Sequence, residues 1–350
     1  MSLRHLVAAL VALNVALLAI GVVVAPGGPG GGGAAGGVDA GANAGIKVGL
    51  VFDVGGRGDK SFNDAAWLGL QRARDELGVT IQAIEPGDGS DREGALRQLA
   101  AGGSDLVIGV GFIFSRDLDR LAGEFPDVAF AGIDYAPDDS RPMPPNLLAL
   151  RFREHEGSFV VGAIAGLVTR SKIVGFVGGM KIPLIRKFEA GYAAGVRHVC
   201  PDCTVLSAYA GTEPKAFADP TLGRELADSQ YGRGADVIYH ASGKTGSGVM
   251  AAARERHRWA IGVDSDQYDE APCCVLTSMV KQVDVAVVDA ARAVVEHRFA
   301  GGVRELGLAE GAVGFVSDAR NADRLPADVV ARARAIAADI VAGRIEVPSQ

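Results

Sequence analysis

From Ile46 onward, short apolar segments of strand length alternate with longer segments in which apolar residues recur at helical spacing. Strand and helix in alternation are typical of α/β proteins, in which helices cover both faces of a parallel sheet. Two such series follow one another, so we expect two similar lobes. The first series has predicted strands at 48–52, 81–85, 106–110, 128–133 and 147–152 and helices at 61–77, 91–101 and 115–125. The second has predicted strands at 173–178, 204–209, 237–240 and 259–263 and helices at 156–169, 184–199, 222–232 and 246–256.

The first strand, turn and helix, residues 47–79, form the most informative stretch. Ser61 and Asp64 have the spacing of a capping box, so the helix is expected to begin at about Ser61. Ligands of open α/β sheets bind beyond the carboxyl ends of strands and beside the amino ends of helices. A binding site is therefore predicted at this turn. Asp59 and Lys60 are expected to be merely solvated.

Composition and charge narrow the classes of function. The 350-residue chain is 48% hydrophobic and 22% charged, as folded globular proteins are, and its net charge of −7 gives no basic face for nucleic acid. It contains no nucleophile-elbow, zinc-protease or dinucleotide-binding motif in the required setting. The sequence therefore gives no motif for these enzyme classes or for a cofactor or metal that they use.

The four cysteines leave several possibilities open. Cys200 and Cys203 are separated by two residues, and Cys273 is adjacent to Cys274. A disulfide, free thiols, and a metal or redox site are all compatible with the sequence, although adjacent cysteines make poor tetrahedral zinc ligands.

The amino terminus is expected to lie outside the folded part. Residues 1–25 carry an uninterrupted apolar run from Leu6 to Ala25 and are predicted to be a signal peptide or a membrane anchor. Residues 26–45, mostly Gly and Ala, are predicted to be a flexible linker. These segments predict a periplasmic or extracellular protein, either released or held to the membrane by an uncleaved helix.

Three short runs in the first stretch carry a resemblance. FDVGG (52–56), DKSFN (59–63) and AAWLGL (65–70) resemble the opening of the basic membrane protein family, the purine-nucleoside-binding proteins of ABC importers, and the likeness continues to about residue 318. It implies a type I periplasmic-binding fold. By that resemblance the first lobe comprises 46–150 with about 273–300, and the second comprises 151–272 with about 301–345.

The resemblance also implies a ligand site between the lobes. Phe62 and Phe188, one from each lobe, would sandwich a base, Asn63 would hydrogen-bond its edge, and Asp53 would be a hydrogen-bond acceptor in or beside the pocket. Asp264 and Lys281 would bind the ribose hydroxyls and compensate each other's charge. Two further aspartates are weaker candidates: Asp134 at the cleft or hinge, and Asp266 as an alternative to Asp264.

The segment Gly243-Lys244-Thr245 mimics a phosphate-binding P-loop. A P-loop needs a glycine five places before the Gly-Lys pair, and that place is occupied by Ile238. Gly243 is therefore expected to let the backbone approach the ligand, as in the family. Lys244 departs from the small residue expected there. The family's lipid-accepting cysteine is also missing, because no cysteine precedes Cys200.

By this resemblance we expect a monomeric, extracytoplasmic receptor, and not an enzyme, that captures a purine-type nucleoside for an ABC permease and uses no cofactor or metal. Two alternatives remain open at this stage. One is a membrane-tethered sensor of the same fold, and the other is a nucleoside-acting enzyme.

Overall fold

Two six-stranded sheets organise the protein, and the computed structural model describes residues 43–87, 90–138 and 140–350. The strands are β1 (Lys47–Val51), β2 (Thr80–Ile84), β3 (Leu106–Val110), β4 (Ala129–Ile133), β5 (Leu147–Phe152), β6 (Ile173–Met180), β7 (Thr204–Gly211), β8 (Val237–Ala241), β9 (Trp259–Asp264), β10 (Val275–Lys281), β11 (Gly302–Leu306) and β12 (Val313–Phe315). The first sheet has the order β11-β5-β4-β3-β1-β2, and the second has the order β12-β10-β9-β8-β6-β7. Every pairing is parallel except the antiparallel pair of β10 and β12.

Helices cover both sheets. They are α1 (Phe62–Leu77), α2 (Arg92–Ala101), α3 (Ser115–Glu124), α4 (Glu154–Val168), α5 (Pro183–Val199), α6 (Pro220–Gly232), α7 (Gly246–Arg256), α8 (Val283–Val295) and α9 (Ala327–Val341). Strands at the centre of each sheet, such as β3 and β8, are buried at every residue, as expected when helices cover both faces. The predicted α/β class and its two-lobed arrangement are confirmed.

The chain passes between the lobes three times: from β5 to α4, from β10 to α8, and from β11 to β12. The resemblance placed residues 273–300 in the first lobe, but β10 belongs to the second sheet, and only α8 after it packs on α1. That packing is close, because a Cβ added to Gly69 would lie 2.6 Å from the carbonyl oxygen of Asp284.

The prediction for residues 301–345 also needs correction, because β11 joins the first sheet beside β5. This strand was missed in the sequence. Its residues, GVREL, alternate between exposed and partly buried positions at the sheet edge, so they show no apolar run. Strand β12 and helix α9 do lie with the second lobe.

Both pairs of cysteines form disulfides, Cys200 with Cys203 and Cys273 with Cys274. The predicted signal or anchor at 1–25 and the linker as far as residue 42 lie outside the described residues. Within the described ranges, every helix is too short or too polar to cross a bilayer.

Candidate functional site

A cavity lies between the lobes, at the carboxyl ends of several strands of both sheets. Its volume is about 50 Å³, or about 540 Å³ when all the space free of protein atoms out to its open mouth is counted. Aromatic and charged side chains both line it. All seven residues predicted for the site line this one cavity: Asp53, Phe62, Asn63, Phe188, Gly243, Asp264 and Lys281.

Asp59, ranked low from the sequence, organises the start of α1. It is 2% exposed, and its carboxylate accepts hydrogen bonds from the backbone amides of Ser61 (2.9 Å), Asn63 (2.9 Å) and Asp64 (3.1 Å). The predicted helix start is confirmed, because Ser61 is the N-cap of α1, but the predicted capping box is wrong, because the Ser61 side chain makes no capping bond. A carboxylate two places before the cap satisfies the free helix amides instead.

Asn63 joins the start of α1 to the end of β1. Its Oδ1 accepts from the Asp53 amide at 2.9 Å, and its Nδ2 donates to Asp59 at 3.0 Å. Asn63 therefore uses one lone pair of its Oδ1 and one Nδ2 hydrogen within the protein. The second Nδ2 hydrogen is left to donate to a ligand, and the bond to the Asp53 amide holds Asp53 in position.

Asp264 ends β9 in the second lobe and touches the first. Ser61 Oγ donates to Asp264 Oδ2 at 2.8 Å and to the Val263 carbonyl at 3.1 Å. The other carboxylate oxygen, Oδ1, is buried, and none of the described residues donates a hydrogen bond to it. The backbone of Asp264 is left-handed, at φ 64°, and that of Asp134 is too, at φ 57°. Such backbone is uncommon outside glycine and concentrates at functional sites.

Lys281 is the cationic centre of the cavity. Its Nζ lies 2.6 Å from Asp134 Oδ1 and 3.3 Å from Glu154 Oε1, and the whole residue is 2% exposed. Asp264 and Lys281 favour each other's charged form, as predicted, but the hydrogen bonds of the ammonium go to Asp134 and Glu154. Asp134 had been weighed as a border residue and Glu154 not at all. Asp134, a weaker candidate from the sequence, follows β4 at the same sheet edge as Asp53.

Aromatic rings from both lobes surround the same ammonium. Lys281 Nζ lies 5.0 Å from the ring centroid of Phe62, 5.7 Å from that of Phe188 and 4.9 Å from that of Phe152. These distances are within the range of cation–π attraction. The two phenylalanines predicted from opposite lobes thus both lie beside the Lys281 ammonium.

A second aromatic pair was missed in the sequence. Phe112, after β3, meets Phe217, before α6, with ring centroids 6.4 Å apart in an edge-to-face arrangement, and both line the cavity. Each belongs to a short irregular turn, where helical or strand periodicity gives no signal. This pair also joins the two lobes.

The loop at Gly243 behaves as a close-approach turn. Gly243 has φ 54°, a conformation that suits glycine, and it lines the cavity while Lys244 does not. Thr245 is buried, accepts from the Asp219 amide at 2.8 Å and donates to the Ala216 carbonyl at 2.8 Å. Its hydroxyl is thus committed to the fold, unlike the metal-binding hydroxyl of a P-loop.

Burial shifts the protonation of the cavity carboxyls. Loss of hydration raises the pKa of Asp53 to about 7 and that of Asp264 to about 6, the latter against the opposing charge of Lys281. Burial alone would lower the pKa of Lys281, but Asp134, Glu154 and Asp264 outweigh it and hold that pKa above its ordinary value. Lys281 therefore stays charged. The weaker candidate Asp266 lies outside this cavity and pairs with Arg320.

Comparison with known proteins agrees with this architecture. Residues 46–350 match the family described as ABC transporter substrate-binding protein, PnrA-like. The chain belongs to this family. As a PnrA-like protein it is a substrate-binding component of an ABC transporter, and the resemblance to basic membrane proteins is confirmed.

Relatives of this PnrA-like protein cover most of its length. It is 36% identical over 325 residues to the CD4+ T-cell-stimulating antigen of Listeria monocytogenes, spanning 87% of this chain and 88% of that one. It is 34% identical over 312 residues to basic membrane protein A of Borreliella burgdorferi, spanning 87% and 88%. A solved ABC solute-binding protein from Aeropyrum pernix superposes with a TM-score of 0.78 at 32% identity, covering 87% of this chain and 94% of that one.

Proposed function

We propose that this PnrA-like protein binds a purine-type nucleoside between its lobes and delivers it to an ABC permease. The observation that carries the proposal is that one cavity is lined by four predicted residues from both lobes: Phe62, Phe188, Asp264 and Lys281. A flat heterocycle between two phenyl rings gains dispersion and offset stacking.

The polar groups suit a ribose beside that base. Asp264 Oδ1 is a buried acceptor without a partner, and such a group costs free energy until a donor reaches it. A ribose diol supplies such donors. Lys281 has three N–H donors, of which Asp134 and Glu154 take two, so one is left for a hydroxyl oxygen.

Binding is proposed to stabilise the closed arrangement of the lobes without breaking a bond. Ligand contacts from both lobes lower the free energy of the closed state relative to the open one, as any ligand-driven closure requires. Phe112 with Phe217, and Ser61 with Asp264, are contacts that lobe opening would separate. We propose that the permease recognises the closed pair, and that the protein works outside the cytoplasm as a monomer.

Isothermal titration with a panel of nucleosides and free bases, followed by chromatography of the recovered ligand, tests the proposal. The expected result is 1:1 binding of a purine nucleoside that is recovered unchanged. Absence of binding across the panel would overturn the nucleoside assignment, and conversion of the ligand would show an enzyme instead.

A further inference from the structure

Glu154 is a buried carboxylate that does not line the cavity but reaches the lysine that does. It is 0% exposed, its Oε1 accepts from Lys281 Nζ at 3.3 Å, and its Oε2 accepts from Lys187 Nζ at 3.3 Å. Lys187 also donates to the Phe152 carbonyl at 3.2 Å. Burial of an ion is unfavourable unless it is paired, so the placement of these three charges is interdependent.

The position of Glu154 in the chain gives this contact its significance. It is the first residue of α4, directly after the crossover from β5, and Lys281 is the last residue of β10, directly before the crossover to α8. The Glu154–Lys281 contact therefore joins two of the three segments that connect the lobes. Asp134, the other partner of Lys281, follows β4 and belongs to the first lobe.

We propose that Glu154 is a positioning residue for ligand binding, acting through Lys281. Asp134 and Glu154 both attract the Lys281 ammonium. These two attractions together fix where its remaining N–H lies in the cavity. Without the charge of Glu154, Asp134 draws Nζ toward the first lobe and away from the ligand. This inference rests on the proposed nucleoside function, because it assigns Lys281 to a hydroxyl of the sugar.

The substitution Glu154→Gln tests whether Glu154 positions Lys281 through its charge or only fills space in the protein interior. Glutamine has nearly the same shape, but it offers one acceptor oxygen where the carboxylate serves two lysines, and its NH₂ faces an ammonium. Glu154→Asp keeps the charge but is one methylene shorter, so it cannot reach both lysines from the same backbone position. We expect purine nucleoside affinity to fall about tenfold in Glu154→Gln, the scale of one charged hydrogen bond, and less in Glu154→Asp.

The experiment titrates the full chain and each variant with a purine nucleoside and with its free base, in the Lys281 background and in a Lys281→Met background. If Glu154 acts through Lys281, nucleoside affinity falls while base affinity stays within about threefold. In the Lys281→Met background, Glu154→Gln then has no further effect. The matched control is Glu156→Gln, because Glu156 lies in the same helical turn but contacts the Leu308 amide and neither lysine. It should leave the nucleoside-to-base ratio unchanged.

The outcomes are distinguishable. Equal nucleoside affinity in Glu154→Gln and the unmodified chain overturns the inference while the proposed function stands. So does an equal loss for nucleoside and base that persists without Lys281, because Glu154 would then support only the fold. If Glu154→Gln does not fold, Glu154→Asp carries the same comparison. If the unmodified chain binds no nucleoside, the proposed function fails and this inference fails with it.

Discussion

Two buried polar clusters beside the cavity differ in what they leave unpaired. The Lys281 cluster consists of Asp134, Glu154, Asp264 and Lys281, and the His240 cluster consists of His240, Ser242, Gln267 and Ser278. In the His240 cluster, His240 Nε2 and Gln267 Oε1 lie 2.9 Å apart, Gln267 Oε1 also accepts from the Val263 amide at 2.9 Å, and the Gln267 amide donates to Ser278 at 3.0 Å. In the Lys281 cluster, no group in the described part of the chain donates a hydrogen bond to Asp264 Oδ1.

The difference separates a structural network from a binding site. Burial lowers the pKa of His240 to about 4, so its ring is neutral at physiological pH and its bonds are internal. The Lys281 cluster is charged, and its two aspartates have left-handed backbone; among the described residues, Asp134 Oδ1 and Asp264 Oδ1 accept no hydrogen bond, although Asp134 Oδ1 lies 2.6 Å from the Lys281 ammonium. A buried network in which every polar group is hydrogen-bonded makes a fold rigid. A buried polar group without a hydrogen-bond partner can instead bind a ligand. Four substitutions or conditions should separate the two roles.

The largest effect on binding is expected for Asp264→Asn. The change removes the charge and one acceptor, and two charged hydrogen bonds at about 1.5 kcal/mol each correspond to about a hundredfold weaker nucleoside binding. Stability should hold or rise, because a buried charge is removed. Titration calorimetry and urea unfolding check the two parts. Asp266→Asn, outside the cavity, is the control, and equal affinities for all three proteins would mean that the pocket is misplaced.

The second-largest effect on binding is expected for Phe62→Ala. Nucleoside affinity should be about 10- to 100-fold weaker, because base stacking on an aromatic ring contributes about 1–3 kcal/mol. The loss should be similar for nucleoside and free base, because the ring contacts the base. Phe125→Ala, at the end of α3 and away from the cavity, should change unfolding but not titration. A ligand that binds Phe62→Ala normally would not be stacked on that ring.

Lowering the pH from 7 to 5 should weaken nucleoside binding about tenfold, because the Asp264 carboxyl, with a pKa of about 6, is then mostly protonated and accepts fewer hydrogen bonds.

The free energy of unfolding of the free protein should rise as the pH is lowered over the same range. Folding raises the pKa of Asp264 above the ordinary 3.8, so this group's contribution to stability is full below pH 3.8 and is lost as pH rises through about 6. Titrations and unfolding curves across this range measure both trends. A flat affinity profile, with Asp264→Asn as the reference, would contradict the ionised acceptor.

The smallest effect on binding is expected in the His240 cluster. His240→Leu removes a hydrogen-bonding ring and should lower the free energy of unfolding by about 1–3 kcal/mol, while nucleoside affinity changes less than about threefold. Urea unfolding and titration of the same sample measure both. If His240→Leu instead lost much of its nucleoside affinity while its stability was unchanged, the His240 cluster would belong to the binding site as the Lys281 cluster does.

The sequence predicted most of the fold because apolar runs report buried strands directly. Strands β3 and β5 and helix α7 begin and end where their patterns do. The edge strand β11 carries no such signal, and the lobe assignment of β10 depends on long-range pairing that local patterns do not contain. The site was predicted through family resemblance, because sequence spacing cannot show that Phe62 and Phe188 meet across a gap.

The missed parts of the site depend on tertiary contacts. Asp59 caps α1 in place of Ser61 because Ser61 is drawn to Asp264 in the other lobe, 203 positions along the chain. Glu154 looks like an ordinary acidic residue at a helix start until the crossovers bring Lys281 beside it. Phe217 lies in a short turn without periodicity. In each case the partner is remote in sequence.

A crystal structure of the protein with a purine nucleoside bound tests the central claim most directly. The account predicts the base between Phe62 and Phe188, the ribose hydroxyls on Asp264 Oδ1 and Lys281 Nζ, and both lobes in contact with the ligand. A nucleoside held by one lobe alone, or bound with Asp264 and Lys281 out of hydrogen-bond reach, would contradict it.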